Sequence, residues 1–250
     1  MTYNRIDGRS HDQLRPYTFQ RNFIKTAEGS VLVCCGDTKV IVTAKIDPSL
    51  PPHLRNSPAP QGWITAEYAM LPGSSHDRVG RERNKAHSRS LEIQRLIGRS
   101  LRAMVDLSKL PPLSINIDAD VIQADGGTRT ASITGAYIAV YDCLKYLQKN
   151  GIQLKDGFIK PFADGLPIVN QVAAVSVGIV DGVSLLDLNY QEDSQAEADA
   201  NFILTASGNI IEIQASAEES SFDERAFHEM FDLAKKAVKE LAYLQNQVLA

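Results

Sequence analysis

"SINIDADVIQADGGTRTASITGAYIAVYDCLKYLQKNG", residues 114–151, decides the fold class. It opens with alternation, Ile115, Ile117, Ala119 and Val121 against Asn116, Asp118 and Asp120, the period of a half-buried strand. Past two glycines the period changes: Ile133, Tyr137, Val140, Leu144 and Leu147 recur on one face of a helix that Gly151 closes. A strand running through glycines into a helix sets the helix's unpaired N–H groups and positive dipole end at the strand's tip. Gly126 and Gly127 are free to take left-handed torsions that gather N–H groups into a nest. Thr128, Thr130 and Ser132 offer hydroxyls there, and Arg129 a planar fork. A tetrahedral anion suits such a loop; an ordinary strand-to-helix turn is the competing reading. No GKS or GKT follows and GxGxxG is absent, so neither a Walker A loop nor a dinucleotide fingerprint is present.

Upstream, "SVLVCC-GD-TKVIVTAKI" reads as a hairpin turning at Gly36-Asp37, and "GWITAEYAML" as a further strand. Residues 48–60 form a proline-rich loop, and residues 72–88 an exposed basic one. Ser88 or Ser90 is placed to cap a helix with Glu92 in its first turn. Ile93, Ile97, Leu101 and Met104 face the core, while Glu92, Arg95, Arg99 and Arg102 form a separate stripe. Downstream, "VAAVSVGIV-DG-VSLLDLNY" repeats the hairpin pattern, strands follow at "NFILT" and "NIIEIQAS", and Ser221 to Glu224 spells a capping box before a last helix. Strands then helix, twice, predicts an α+β protein with a mixed sheet and helices grouped on one side. No linker rich in Gly, Ser or Pro divides the chain, so residues 1–250 read as a single domain.

The charge balance narrows the function. The net charge is −4, yet between His76 and Arg102 stand Arg78, Arg81, Arg83, Lys85, Arg89, Arg95, Arg99 and Arg102 against only Asp77, Glu82 and Glu92. A local basic field on an acidic protein fits a polyanion, with solvated arginines as the alternative. Asp187, Glu192, Asp193, Glu197 and Asp199 compensate further along. Asp193 and Asp199 converge only if that segment is extended or looped. Paired carboxylates beside a phosphate would hold Mg²⁺ or handle a proton; a solvated acidic loop is the other possibility. Cys34, Cys35 and Cys143 have no zinc or disulfide spacing. The polar start and the lack of a long apolar run predict a cytoplasmic protein that does not engage membranes.

These motifs carry a resemblance. "EGSVLVCCGDTKVIVTA", "GWITAEYAMLP", "RSLEIQRLIGRSLRA", "QADGGTRTASITGA", "VAAVSVGIVDG" and the Glu-Asp…Glu-x-Asp pattern from Glu192 are similar, over essentially the whole chain, to the ribonuclease PH family. The resemblance implies duplicated ribosomal-protein-S5-domain-2-like units, the ribonuclease PH fold, assembled as a homohexamer, a ring of dimers. It implies phosphate ligands at Arg89, Gly127, Thr128 and Arg129, and catalytic, Mg²⁺-associated carboxylates at Asp193 and Asp199. RNA contacts are expected at Arg78, Arg81 and Arg83, with the helix arginines Arg95 and Arg99 beside them. The chain departs from the family at Gly73, where an arginine is usual, and at Ser88-Arg89-Ser90, where Gly-Arg-Thr is usual. The implied activity is phosphorolytic 3′→5′ trimming of RNA, chiefly precursor-tRNA 3′ ends, with inorganic phosphate as the attacking group and nucleoside diphosphates as products. A ring subunit that binds RNA without chemistry and a metal-dependent hydrolase are the rivals.

Overall fold

A computed structural model of the chain describes residues 3–56, 61–81, 87–218 and 221–250. Its first half is β1 (Tyr17–Arg21), β2 (Gly29–Cys35), β3 (Thr38–Asp47), β4 (Trp63–Met70), α1 (Ser88–Met104), β5 (Ser114–Gln123) and α2 (Thr128–Asn150). A short hairpin, β6 (Ile152–Leu154) and β7 (Gly157–Ile159), leads to the second half. There stand β8 (Val172–Val180), β9 (Val183–Leu186), α3 (Tyr190–Asp193), β10 (Ala198–Thr205), β11 (Ile210–Ala217) and α4 (Glu224–Leu249).

Both expected hairpins form. Gly36 (φ 54°) is the left-handed residue at the turn from β2 into β3, and Asp181 (φ 49°) with Gly182 (φ 71°) turns β8 into β9, the left-handed pair of a type I′ turn. The first sheet has the order β1-β2-β3-β5-β4; its β4–β5 pair is parallel because α1 carries the chain back across the sheet. The second, β11-β10-β8-β9, is antiparallel throughout. The α+β expectation therefore holds, with a mixed sheet in the first half and an antiparallel one in the second.

The helix α2 differs from its expected one-sided form. It is buried nearly all round, because it packs on β2 and β3 of one sheet and on β8 of the other. Small residues allow the approach: a Cβ on Gly135 would lie 2.2 Å from Val33 Cγ2, and one on Gly29 would lie 1.9 Å from the Ala139 carbonyl oxygen. On the second sheet Thr134 of α2 bonds the Ala174 backbone, while Phe202 of β10 meets Phe227 and Phe231 of α4. Both faces of β8 are thus covered, and its nine residues are all buried.

Two cap assignments need correction. His87 occupies the N-cap of α1, which puts Ser88 and Ser90 inside the helix and Glu92 beyond its first turn. Asp223, not Ser221, caps α4, accepting from the Ala226 N–H at 2.8 Å. Among the described residues no helix is long and apolar enough to cross a membrane.

Candidate active site

A cleft of about 1250 Å³ opens where β4 and β5 end and α2 begins, faced by the loop that follows β9. Arg89, Gly127, Thr128, Arg129, Asp193 and Asp199 all line it. Gly126 (φ 72°) and Gly127 (φ 64°) are both left-handed, so consecutive N–H groups are presented at the start of α2. Only glycine fits. A Cβ on Gly126 would stand 2.5 Å from the Leu188 carbonyl oxygen, and one on Gly127 2.8 Å from Arg15 Nη2. Thr128 Oγ1 lies 2.9 Å from Tyr68 Oη, and burial pushes the Tyr68 hydroxyl up from its ordinary pKa. Thr130 and Ser132 do not serve the cradle. Their hydroxyls donate back to the carbonyls of Gly127 (2.9 Å) and Thr128 (2.7 Å), within the helix.

Two arginines frame the nest. Arg129, the second residue of α2, is held by Glu92 Oε1 at 3.2 Å and Gln214 Oε1 at 3.1 Å, linking α1 and β11 to the cradle. Arg89, the second residue of α1, is exposed into the cleft. Both cations act on the carboxylates opposite, and both also bear on Tyr68.

Those carboxylates meet by the looped route. Asp193 ends the four-residue α3, which is fixed by a capping box: Asn189 Oδ1 accepts from the Glu192 N–H and Glu192 Oε2 from the Asn189 N–H. The chain then bends so that Asp199 enters on β10. Desolvation raises the pKa of Asp193, the charge of Asp199 adds to it, and Arg89 and Arg129 pull the other way. Asp199 is raised by desolvation too, with Arg129 opposing and Glu218 adding. Negative charge there is only partly offset, which suits a cation or a proton. Among the described residues no group of three or more His, Cys, Asp or Glu could hold a metal. A pair of carboxylates that shares the ion with waters and substrate oxygens nevertheless fits the habits of Mg²⁺.

The remaining site expectations scatter. Arg81 lines the cleft; Arg78 is exposed in the same loop and outside the lining. Arg83 lies outside the described residues. Arg95 is exposed on α1, and Arg99 pairs with Glu212 of β11 at 2.7 Å, so neither reaches the cleft wall. Arg102 is laid over the Trp63 ring at 4.8 Å and donates to the Ile64 carbonyl.

Sequence reasoning missed what lies under the cradle. Arg5 makes a two-pronged bond to Glu192 (2.8 and 2.6 Å) and donates to the Leu186 and Asp187 carbonyls. Arg15 grips Asp187 through its backbone N–H, Nε and Nη2 (2.8, 3.1 and 2.7 Å), and its Nη1 donates to the Asp125 carbonyl. Arg9 donates to the Asp187 and Gln13 carbonyls. Burial alone would raise the Asp187 pKa; Arg15 and Arg9 overcome it and hold the carboxyl below the ordinary range. Nothing in a polar N-terminal stretch announces three arginines destined for the interior. The one signal was Asp187 and Glu192 standing in an acidic run with no local cation to pair them.

A model of the 3′ exoribonuclease family, domain 1, matches residues 13–145, and one of domain 2 of that family matches residues 170–237. Ribonuclease PH of Synechococcus sp. (strain JA-3-3Ab) is 49% identical over 249 residues, covering 100% of this chain and 99% of the relative. Ribonuclease PH of Synechococcus sp. (strain JA-2-3B'a(2-13)) is 49% identical over 249 residues, covering 100% and 98%. Among solved structures, the Archaeoglobus fulgidus exosome with RNA bound to the active site is 26% identical with a TM-score of 0.76, covering 95% of this chain and 91% of that one. An archaeal exosome core, at 24% identity, TM-score 0.75 and coverage of 97% and 91%, shares the fold.

Proposed function

The chain belongs to the ribonuclease PH family and is a phosphorolytic 3′→5′ exoribonuclease of the tRNA nucleotidyltransferase class, and we propose how its cleft performs that reaction. Inorganic phosphate sits in the nest of Gly126 and Gly127, bound by the Gly127 backbone, Thr128, Arg89 and Arg129. One phosphate oxygen attacks the terminal phosphodiester phosphorus in line. The bond from that phosphorus to the preceding 3′ oxygen breaks, the RNA keeps a 3′ hydroxyl, and a nucleoside 5′-diphosphate leaves. Because an anhydride replaces a diester, the step is reversible as nucleotide addition.

Two anions must be brought together, and the arginine pair offsets their repulsion in the transition state. A carboxyl with a raised pKa, as in the Asp193–Asp199 pair, is suited to carry the proton that the leaving 3′ oxygen needs. Mg²⁺, when bound at those two carboxylates, would neutralise phosphoryl charge. Arg81, with Arg78 and Arg83 of the same loop, guides the RNA, and Arg95 and Arg99 extend the basic track along α1. The natural substrate is the 3′ trailer of precursor tRNA, processed in the cytoplasm by a homohexamer in which residues 1–250 act as one domain.

The observation that carries this reading is the convergence of two arginines and two carboxylates on a left-handed Gly-Gly nest. A tailed RNA incubated with Mg²⁺, with and without phosphate, tests it. Nucleoside diphosphates released only with phosphate are expected; monophosphates appearing without it would overturn the reading. A sedimentation mass other than six times 27.4 kDa would remove the hexamer.

A further inference from the structure

The cradle and the carboxylates belong to different halves of the chain, so something must tie the two together. The cradle's own backbone shows what. Thr38 Oγ1, fully buried at the start of β3, donates to the Gly126 carbonyl at 2.6 Å and accepts from the Asp125 N–H at 2.9 Å. Arg15 joins the Asp125 carbonyl to the Asp187 carboxylate, and its Nη2 lies directly against Gly127. Asp187 itself is a left-handed non-glycine residue (φ 54°), six positions ahead of Asp193. Asp125 Oδ1 then accepts from the Tyr190 N–H at 3.1 Å, closing the ring onto α3.

We infer that Thr38 and Arg15 are positioning residues that hold the phosphate cradle at a fixed distance from the carboxylates of α3 and β10. Neither faces the cleft, and neither touches the reacting atoms. Thr38 fixes the loop to the first sheet; Arg15 fixes the same loop to the segment that carries Asp193. The attacking oxygen and the proton-handling carboxyl must stay in register to a fraction of an ångström, and a displaced cradle loses that register. The inference rests on the reading of residues 126–129 as the phosphate site.

Steady-state kinetics of Thr38→Val, Thr38→Ser and Arg15→Lys, varying phosphate and RNA separately, test it. Valine keeps the shape of threonine and buries no new charge, but removes both bonds to the loop. Thr38→Val should raise the KM for phosphate about tenfold, the scale of one or two lost hydrogen bonds, and lower kcat, with the KM for RNA unchanged. Thr38→Ser keeps the hydroxyl and should restore wild-type values. Arg15→Lys keeps the charge opposite Asp187 but lacks the fork that also reaches Asp125, and should shift the phosphate KM the same way. A lowered melting temperature with the phosphate KM unmoved in Thr38→Val would assign Thr38 a purely structural role and overturn the inference, whether or not Arg15→Lys folds. Phosphate-independent turnover by the wild type would instead remove the cradle reading itself, and the inference with it.

Discussion

Two groups of charges meet at Gly127, one beneath the loop and one in the cleft, and they are built on opposite terms. Beneath, Arg5, Arg9 and Arg15 surround Asp187 and Glu192 with almost no water, and nearly every donor has an acceptor; Arg9 Nη2 is the exception, 3.7 Å from Glu192. In the cleft, Arg89 and Arg129 face Asp193 and Asp199 without closing on them, and both carboxyl pKa values rise where that of Asp187 falls. The lower group commits its charge chiefly to the fold, with Arg15 also acting on Asp193 from beneath. In the upper group Arg89 is exposed and Arg129 is paired only with the exposed Glu92, so their field remains for an anion that arrives later, which is what preorganised transition-state stabilisation requires. Stability and activity should therefore come apart between the two sets.

The largest separation is expected at the carboxylates. Asp199→Asn should abolish turnover, a loss on the order of 10³ or more in kcat if it handles the proton, while RNA binding survives; near-wild-type turnover in a gel-based trimming assay would end its catalytic role. Next comes the buried set. Asp187→Asn leaves Arg15 with only the longer Asp125 contact (3.8 Å) as counter-charge and should cost about 3–5 kcal/mol of stability, seen as a large drop in denaturation midpoint. A midpoint within error of wild type would show that the Asp125 contact alone is enough to hold Arg15 in the interior. Third, Arg129→Gln should lose about 2–4 kcal/mol of transition-state stabilisation in kcat/KM, with little change in melting temperature. Equal loss in both measurements would mean that its bonds to Glu92 and Gln214 are structural.

How much of this was readable in the chain depends on whether the interaction is local. The strand, Gly-Gly turn and start of α2 are local, and residues 114–151 spell them in period and composition. Both hairpins were legible for the same reason. The one-sided face of α2 was wrong because burial on its other side depends on a second sheet that begins at Val172. Caps were misassigned by one to three residues, since several serines compete and local sequence does not rank them. Thr130 and Ser132 were credited to the anion because spacing cannot show that a hydroxyl turns back on its own helix. The arginine cluster was invisible: its bonds join residues 5–15 to 186–192, and only tertiary structure brings them together.

The smallest expected effect is also the most diagnostic, because its sign differs between the two groups. Asp187 binds its proton less tightly in the folded protein than in the unfolded chain, so its contribution is present above the unfolded value near 3.9 and is lost as pH falls through the folded one. Asp193 and Asp199 bind theirs more tightly when folded; their favourable contribution is present below about 3.9 and is lost as pH rises through the raised folded values. Asn at 199 removes the second penalty. It should therefore stabilise the protein at neutral pH by under about 1 kcal/mol, water screening a charge that is only part buried. The gain should shrink as pH is lowered and disappear once the wild-type carboxyl is protonated. Melting curves of wild type and Asp199→Asn between pH 4 and 8 measure it. A variant less stable than wild type at pH 7, or an offset that ignores pH, would mean that the cleft carboxylates are satisfied within the fold, and the contrast with the cluster beneath Gly127 would lose its basis.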